Sequence, residues 1–241
     1  MSWAPLLLVV GGALLLAACE STQDKSARLA EQAEGLKKQR GLVIAKPSKV
    51  VKVGRRAVLN DKNGTAVVVE LRNTSKRRLA EVPVAIDVRN GKRSVFKNDD
   101  PGLEPSLVGV PVLRPRQRFL WVHDQVLATG RGKAVRAKVG VERRKAPARI
   151  PQIRITPPKL EVDPTSGTLA VGRLVNRSRV LQRNIVVHAV ARKGNRIVAA
   201  GRAAVERLKP GASAAYQVFF IGDPRGARIT LAAPPTRFGS T

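Results

Sequence analysis

From about Val43 the chain alternates short apolar runs with polar positions, at the period of two that a half-buried strand requires. The clearest runs are Val67-Val68-Val69, Val82 to Val88, Val108 to Leu113 and Phe119 to Val122. Asn63-Gly64 and Asn90-Gly91 predict tight turns, because Asn and Gly tolerate the positive φ angles that short hairpins demand. No long helical pattern separates these runs, so closely spaced strands and turns predict an all-β sandwich fold. The N-terminal part reads differently. Residues 4–18 carry no charged side chain, whereas Glu20 to Arg40 is polar. Leu29, Ala33 and Leu36 fall at helical spacing, so a short amphipathic helix is expected between Asp24 and Gln39, weakened by Gly35. Its role would be a tether, or alternatively a helix that packs on a partner.

The strand pattern is repeated. Gly64-Thr65 aligns with Gly167-Thr168. Leu71, Asn73 and Ser75 align with Leu174, Asn176 and Ser178, and Val84 and Gly91 with Val187 and Gly194, all at an offset of 103. Leu113-Arg114-Pro115 aligns with Leu208-Lys209-Pro210, and Trp121 with Tyr216, at an offset of 95. The first copy therefore carries about eight extra residues, placed between Asn98 and Ser106, where Asp99-Asp100-Pro101-Gly102 and Pro105 mark a loop. Two β-sandwich domains in tandem follow, over 46–145 and 159–241. They are joined by an extended linker, 146–158, that holds Pro147, Pro151, Pro157 and Pro158. Asn73 and Asn176 each end an apolar strand and precede a Ser two positions on, which predicts an Asx-turn. Trp121 and Tyr216 are expected in the core, with their polar edges reaching partners near the surface.

Several of these segments together carry a family likeness. They are Gly172-Arg173-Leu174-Val175-Asn176-Arg177-Ser178, Val186 to Gly194, Leu208-Lys209-Pro210-Gly211 and Tyr216-Gln217-Val218. The set resembles the FxLYD-type, immunoglobulin-like β-sandwich modules of bacterial envelope proteins. The resemblance covers residues 160–235, and extends more weakly over 57–142. There Glu70 stands in place of the leading Gly and Arg116 in place of the Gly after Pro. It implies two tandem immunoglobulin-like domains and no catalytic residues.

The N-terminal apolar run ends in Leu16-Ala17-Ala18-Cys19, and Cys19 is the only cysteine. Pro5 to Ala18 is short for a membrane span, which needs about 20 residues, and has the small-residue ending of a secretory signal. The four residues resemble the lipobox of a bacterial lipoprotein signal peptide, in which the cysteine is acylated and becomes the new N-terminus. That resemblance implies removal of residues 1–18 and a lipidated tether over 19–45. It also implies covalent diacylglycerol and acyl chains on Cys19 in place of any cofactor. Two or more hydrocarbon chains suffice for stable anchoring, which would put the protein on the extracytoplasmic face of the cell membrane. A body without further cysteine leaves Cys19 no disulfide partner in an oxidising compartment. An ordinary signal peptide, or an uncleaved anchor with an incidental cysteine, is the alternative.

Charge changes the picture most. The formal net charge is +28. Residues 46–148 hold 24 basic and 9 acidic groups, and residues 149–241 hold 16 and 4, so the excess is spread over both copies. Such a field attracts polyanions and is screened by salt. Its strongest local clusters are Lys76-Arg77-Arg78 and Arg143-Arg144-Lys145, the candidate basic contacts. Catalytic and metal chemistry find little footing. His123 and His188 are the only histidines and sit in different copies, and no Gly-x-Ser-x-Gly elbow is present. His123-Asp124 reads as the polar end of a strand, with a metal-ligand pair as the alternative. Asp99-Asp100 reads as a solvated turn, with calcium binding as the alternative. The few aromatics fall at core-like positions, against the interleaved pattern of single-strand binders. The expectation is a non-catalytic envelope module that binds another envelope protein. The alternative is a charge-driven binder of wall polymer, anionic lipid or DNA. No small-molecule substrate, cofactor or metal site is predicted.

Overall fold

Valine-rich alternating segments favour a pleated, half-buried surface, and the computed structural model contains fifteen strands and no helix among the described residues. Those residues are 41–99, 107–126 and 128–239. The lipobox residues Leu16, Ala17, Ala18 and Cys19, the tether helix and most of the Asn98–Ser106 loop lie outside them.

The first half comprises β1 (Val51–Asp61), β2 (Gly64–Asn73), β3 (Leu79–Asn90), β4 (Arg93–Lys97), β5 (Gly109–Leu113), β6 (Arg118–His123) and β7 (Ala134–Val139). One antiparallel sheet runs β1-β2-β6, and in the other β3 pairs with β4, β5 and β7. Alternate side chains from both sheets meet in one core. Val67, Val69 and Leu71 of β2 face Leu79, Val84 and Ile86 of β3, with Trp121 of β6 between them. This is the arrangement a β-sandwich requires.

The second half comprises β8 (Ile153–Ile155), β9 (Lys159–Asp163), β10 (Gly167–Asn176), β11 (Gln182–Lys193), β12 (Arg196–Leu208), β13 (Ser213–Phe219), β14 (Ile221–Gly222) and β15 (Arg228–Ala232). Its sheets run β13-β10-β8, with β9 also on β10, and β14-β12-β11-β15. Its core is richer in alanine, with Ala170, Ala189, Ala191 and Ala199 buried around Tyr216 and Phe220.

The ladders of the two halves match. Leu79 pairs with Leu113 as Gln182 pairs with Leu208, and Val69 pairs with Trp121 as Gly172 pairs with Tyr216. Val69, and not Glu70, therefore stands where the second half has its leading glycine. The single strand β12 does the work of β4 and β5 together, and the extra residues of the first half fall between those two strands. Asn73 and Asn176 are fully buried and make the same turn. In each, Oδ1 accepts the Ser backbone N–H two residues on at 3.0 Å and the Ser hydroxyl at 2.7 Å. Each Nδ2 donates to two carbonyls, of Arg77 and Arg114 in the first half and of Val180 and Leu208 in the second.

The stretch 146–158, expected as a linker, contains β8, which pairs with the end of β10. The equivalent strand in the first half, β1, runs on through a bulge between Val53 and Arg56. Its counterpart is cut into β8 and β9 at Thr156-Pro157-Pro158, because proline has no N–H to give the ladder. The halves are also not strung apart: Arg40–Thr241 cluster as one compact unit. Ala66, Val68 and Val122 of the first half pack against Val190, Ala200 and Ile221 of the second. Around that patch, the Gly222 N–H donates to the Asp61 carboxylate at 2.8 Å, and Asn63 Nδ2 donates to the Ser166 carbonyl at 3.1 Å.

Candidate polyanion-binding groove

The buried Asn73 turn fixes the loop that follows it, and this loop carries Lys76, Arg77 and Arg78 outward as exposed residues. The segment after β7 passes beside that loop. Ala80 forms a β-bridge with Arg144, and Arg78 Nη1 donates to the Ala148 carbonyl at 2.9 Å. The result is an open groove of about 1100 Å³ lined by Lys76, Arg77, Arg78, Arg144 and Lys145, with Pro115, Pro147 and Phe238 as apolar wall. Two basic clusters that are far apart in the chain are thus one surface. Of the candidate basic contacts, only Arg143 faces elsewhere, into a neighbouring cavity.

The cations of the groove differ in how they are held. Arg77 is paired with Glu142, and Arg144 Nη1 lies 3.5 Å from the Glu81 carboxylate. Both arginine side chains stay about 60% exposed, at 61% and 62%, so these pairs orient them without neutralising the surface. Lys76 and Lys145 make no ion pair among the described residues. No carboxylate among the described residues lines the groove itself. An extended anionic ligand would meet five cations here, with Phe238 offering a flat apolar contact.

A second polar cluster escaped sequence reasoning because its members are distant in the chain. Asp124 follows β6, and Arg202 lies in β12 across the contact between the halves. Arg202 Nε donates to Asp124 Oδ1 at 2.8 Å, and the Arg202 backbone N–H donates to Oδ2 at 2.7 Å. The other guanidinium donors reach the Leu107 carbonyl at 2.9 Å and Gln125 Oε1 at 3.2 Å. The Arg202 side chain is only 4% exposed, so every donor must be met within the protein. Burial pushes the Asp124 carboxyl up, and Arg202 opposes that shift.

The two histidines, expected to be isolated, both lie beside this pair. His123 stacks on Trp121 at 5.7 Å between ring centroids, and His188 meets Phe119 edge-on at 5.2 Å. His188 Nδ1 accepts the Val122 N–H at 3.1 Å, so that nitrogen must be unprotonated. Burial, reinforced by the Arg202 guanidinium, pushes each histidine down to about 3. Both are therefore neutral packing elements at ordinary pH. Among the described residues His188 Nε2 and Trp121 Nε1 are buried without a hydrogen-bond partner, and His123 faces the backbone of Leu107 and Gln125. No group of three or more His, Cys, Asp or Glu side chains suited to a metal ion occurs among the described residues.

Comparison with protein-family models and with characterised proteins finds no match.

Proposed function

We propose that this protein is a non-catalytic binding module of the bacterial envelope, lipid-anchored through Cys19. Its body is two immunoglobulin-like sandwiches, and it takes an acidic ligand along the groove of Lys76, Arg77, Arg78, Arg144 and Lys145. The observation that carries the reading is the convergence of two separate basic clusters on one groove that no carboxylate among the described residues lines. An anionic polymer fits because charge, and not shape, dominates the surface. Immobilised polyphosphate should retain the protein at low salt, with log affinity falling linearly in log salt. Lys76→Ala with Lys145→Ala should flatten that slope by about one per lysine. Retention unchanged in the double variant would sink the groove as the site.

A second reading, binding of another envelope protein, rests on β9. Among the described residues this strand is hydrogen-bonded only to β10, and Leu160 and Val162 on it are 40% and 70% exposed. An uncovered edge of this kind accepts an added strand. Such a complex would survive near-molar salt, and a Val162→Lys change would abolish it.

A further inference from the structure

Beside the groove lies a smaller and different site. The start of β3, the start of β5, the start of β11 and the C-terminal stretch around Thr236 border a half-open cavity of about 190 Å³. Arg143, Arg183 and Arg237 line it, each from a different segment. Val82, Pro83, Val108 and Pro111 form an apolar part of its wall, and Asn184 and Thr236 add polar side chains. Glu81 is the one carboxylate on the lining, and its ion-pair partner is Arg144, outside the cavity. None of the three lining arginines makes an ion pair among the described residues. The cavity and the groove adjoin along two backbone stretches. Arg143 and Arg237 belong to the cavity, while their chain neighbours Arg144 and Phe238 belong to the groove.

We infer that this cavity is a discrete oxyanion site, which takes a single phosphate or carboxylate group where the groove takes a chain. The inference rests on the polyanion reading and names which part of such a ligand the protein selects. Guanidinium groups recognise phosphate and carboxylate by paired N–H donors. Arg143, Arg183 and Arg237 are exposed residues, so it is their convergence from three segments that concentrates positive charge at the cavity. The volume is also apt. A cavity of about 150 Å³ holds one benzene-sized molecule, so this one holds an anionic group on a short body and no polymer segment. The bound group would be the charged end of a chain lying in the groove, or a free oxyanion of the same chemistry.

The test uses the full chain and inorganic phosphate, titrated by calorimetry against a chloride control at constant ionic strength. One-to-one saturable binding is expected. Arg183→Ala with Arg237→Ala should weaken it by about tenfold or more, as loss of charge-assisted bonds requires. Arg183→Lys, which keeps the charge and loses the fork, should fall between. Lys76→Ala with Lys145→Ala should leave phosphate affinity unchanged while reducing retention on polyphosphate. To separate the two sources, oligophosphates with free and with esterified ends are compared. Preference for the free end identifies a chain terminus, and equal affinity with orthophosphate binding retained identifies a free oxyanion. Absence of saturable phosphate binding, or binding insensitive to Arg183 and Arg237, overturns the site. If polyphosphate retention persists in that case, the groove reading stands alone. If phosphate binds and polyphosphate does not, the site stands and the groove reading fails.

Discussion

The same sheet face is apolar in one half of the molecule and polar in the other. On the first half it is built from Ala57, Leu59, Val68, Leu120 and Val122, and it packs against the second half. The ladder registers place Lys159, Glu161, Val171, Ala215 and Gln217 at the matching positions of the second half. There the lysine and glutamate are exposed. Asp124 of the first half corresponds to Phe219 of the second: one holds Arg202 across the contact, the other stands 42% exposed. Repeated units need not be identical to fold alike. Residues that turn the chain are shared, and residues on the outer face are changed according to what covers it. Covering that face of the second half in the same way would bury Lys159 and Glu161, at a cost of several kcal/mol.

The largest test of that contrast is Asp124→Asn. It leaves the buried Arg202 guanidinium without its counter-charge and should cost about 3–5 kcal/mol in denaturant unfolding. Phe219→Asn, at the matching exposed position, should change stability by less than about 1 kcal/mol. Equal costs would remove the distinction between the two faces.

Next in size is the loss of stability between pH 7.5 and 5, which the two histidines at the contact between the halves dominate. His123 and His188 stay neutral in the fold until about pH 3, but charge near 6.5 once unfolded. Their contribution is fully present above 6.5, is lost as pH falls from 6.5 toward 3, and is level below that. By pH 5 each histidine should have cost about 2 kcal/mol. The raised Asp124 carboxyl acts with the opposite sign near its own range and trims the total. Unfolding by urea between pH 7.5 and 5 measures the slope. His188→Gln should remove about half of it, and an unchanged slope would contradict the burial argument.

The aromatic positions give a third contrast. A Cβ on Gly172 would lie 2.6 Å from Cζ of Tyr216, so the bare glycine makes room for the ring. Val69 occupies the same place beside Trp121. Gly172→Ala should destabilise by about 1–3 kcal/mol through overpacking. In a Tyr216→Ala background the same change should be neutral or mildly stabilising, since alanine costs a strand less entropy than glycine.

The smallest expected effect lies in the turn before β6 and its counterpart before β13. Arg116 has φ 58° where the second half has Gly211 at 69°. An L side chain is strained there. Arg116→Gly should stabilise by up to about 1 kcal/mol and Gly211→Ala should destabilise by a similar amount, both read from thermal melts.

Much of the strand architecture was legible because it is local. Asn73 and Asn176 carry their turn in the two residues that follow. Alternation marked β2, β3 and β6, and the change of offset from 103 to 95 located the extra residues that separate β4 from β5. The extended reading of 146–158 missed β8, since three residues between prolines carry no period. What joins the halves was illegible for a different reason. Asp124 and Arg202 are 78 positions apart, and nothing in either neighbourhood marks one as the other's partner. The groove lay between these cases. Both basic clusters were evident as charge, while their convergence depended on the bridge between Ala80 and Arg144.

The Asp124–Arg202 lock bears on how the molecule comes apart. Its bonds span both halves, so opening either half breaks them and exposes the apolar patch around Val68, Val122, Val190 and Ile221 to water. Melting should therefore be a single calorimetric transition, despite a chain built from two similar copies. A protease cut between Lys145 and Ile150 would separate the copies covalently without releasing them, leaving two fragments that remain one particle until both unfold together.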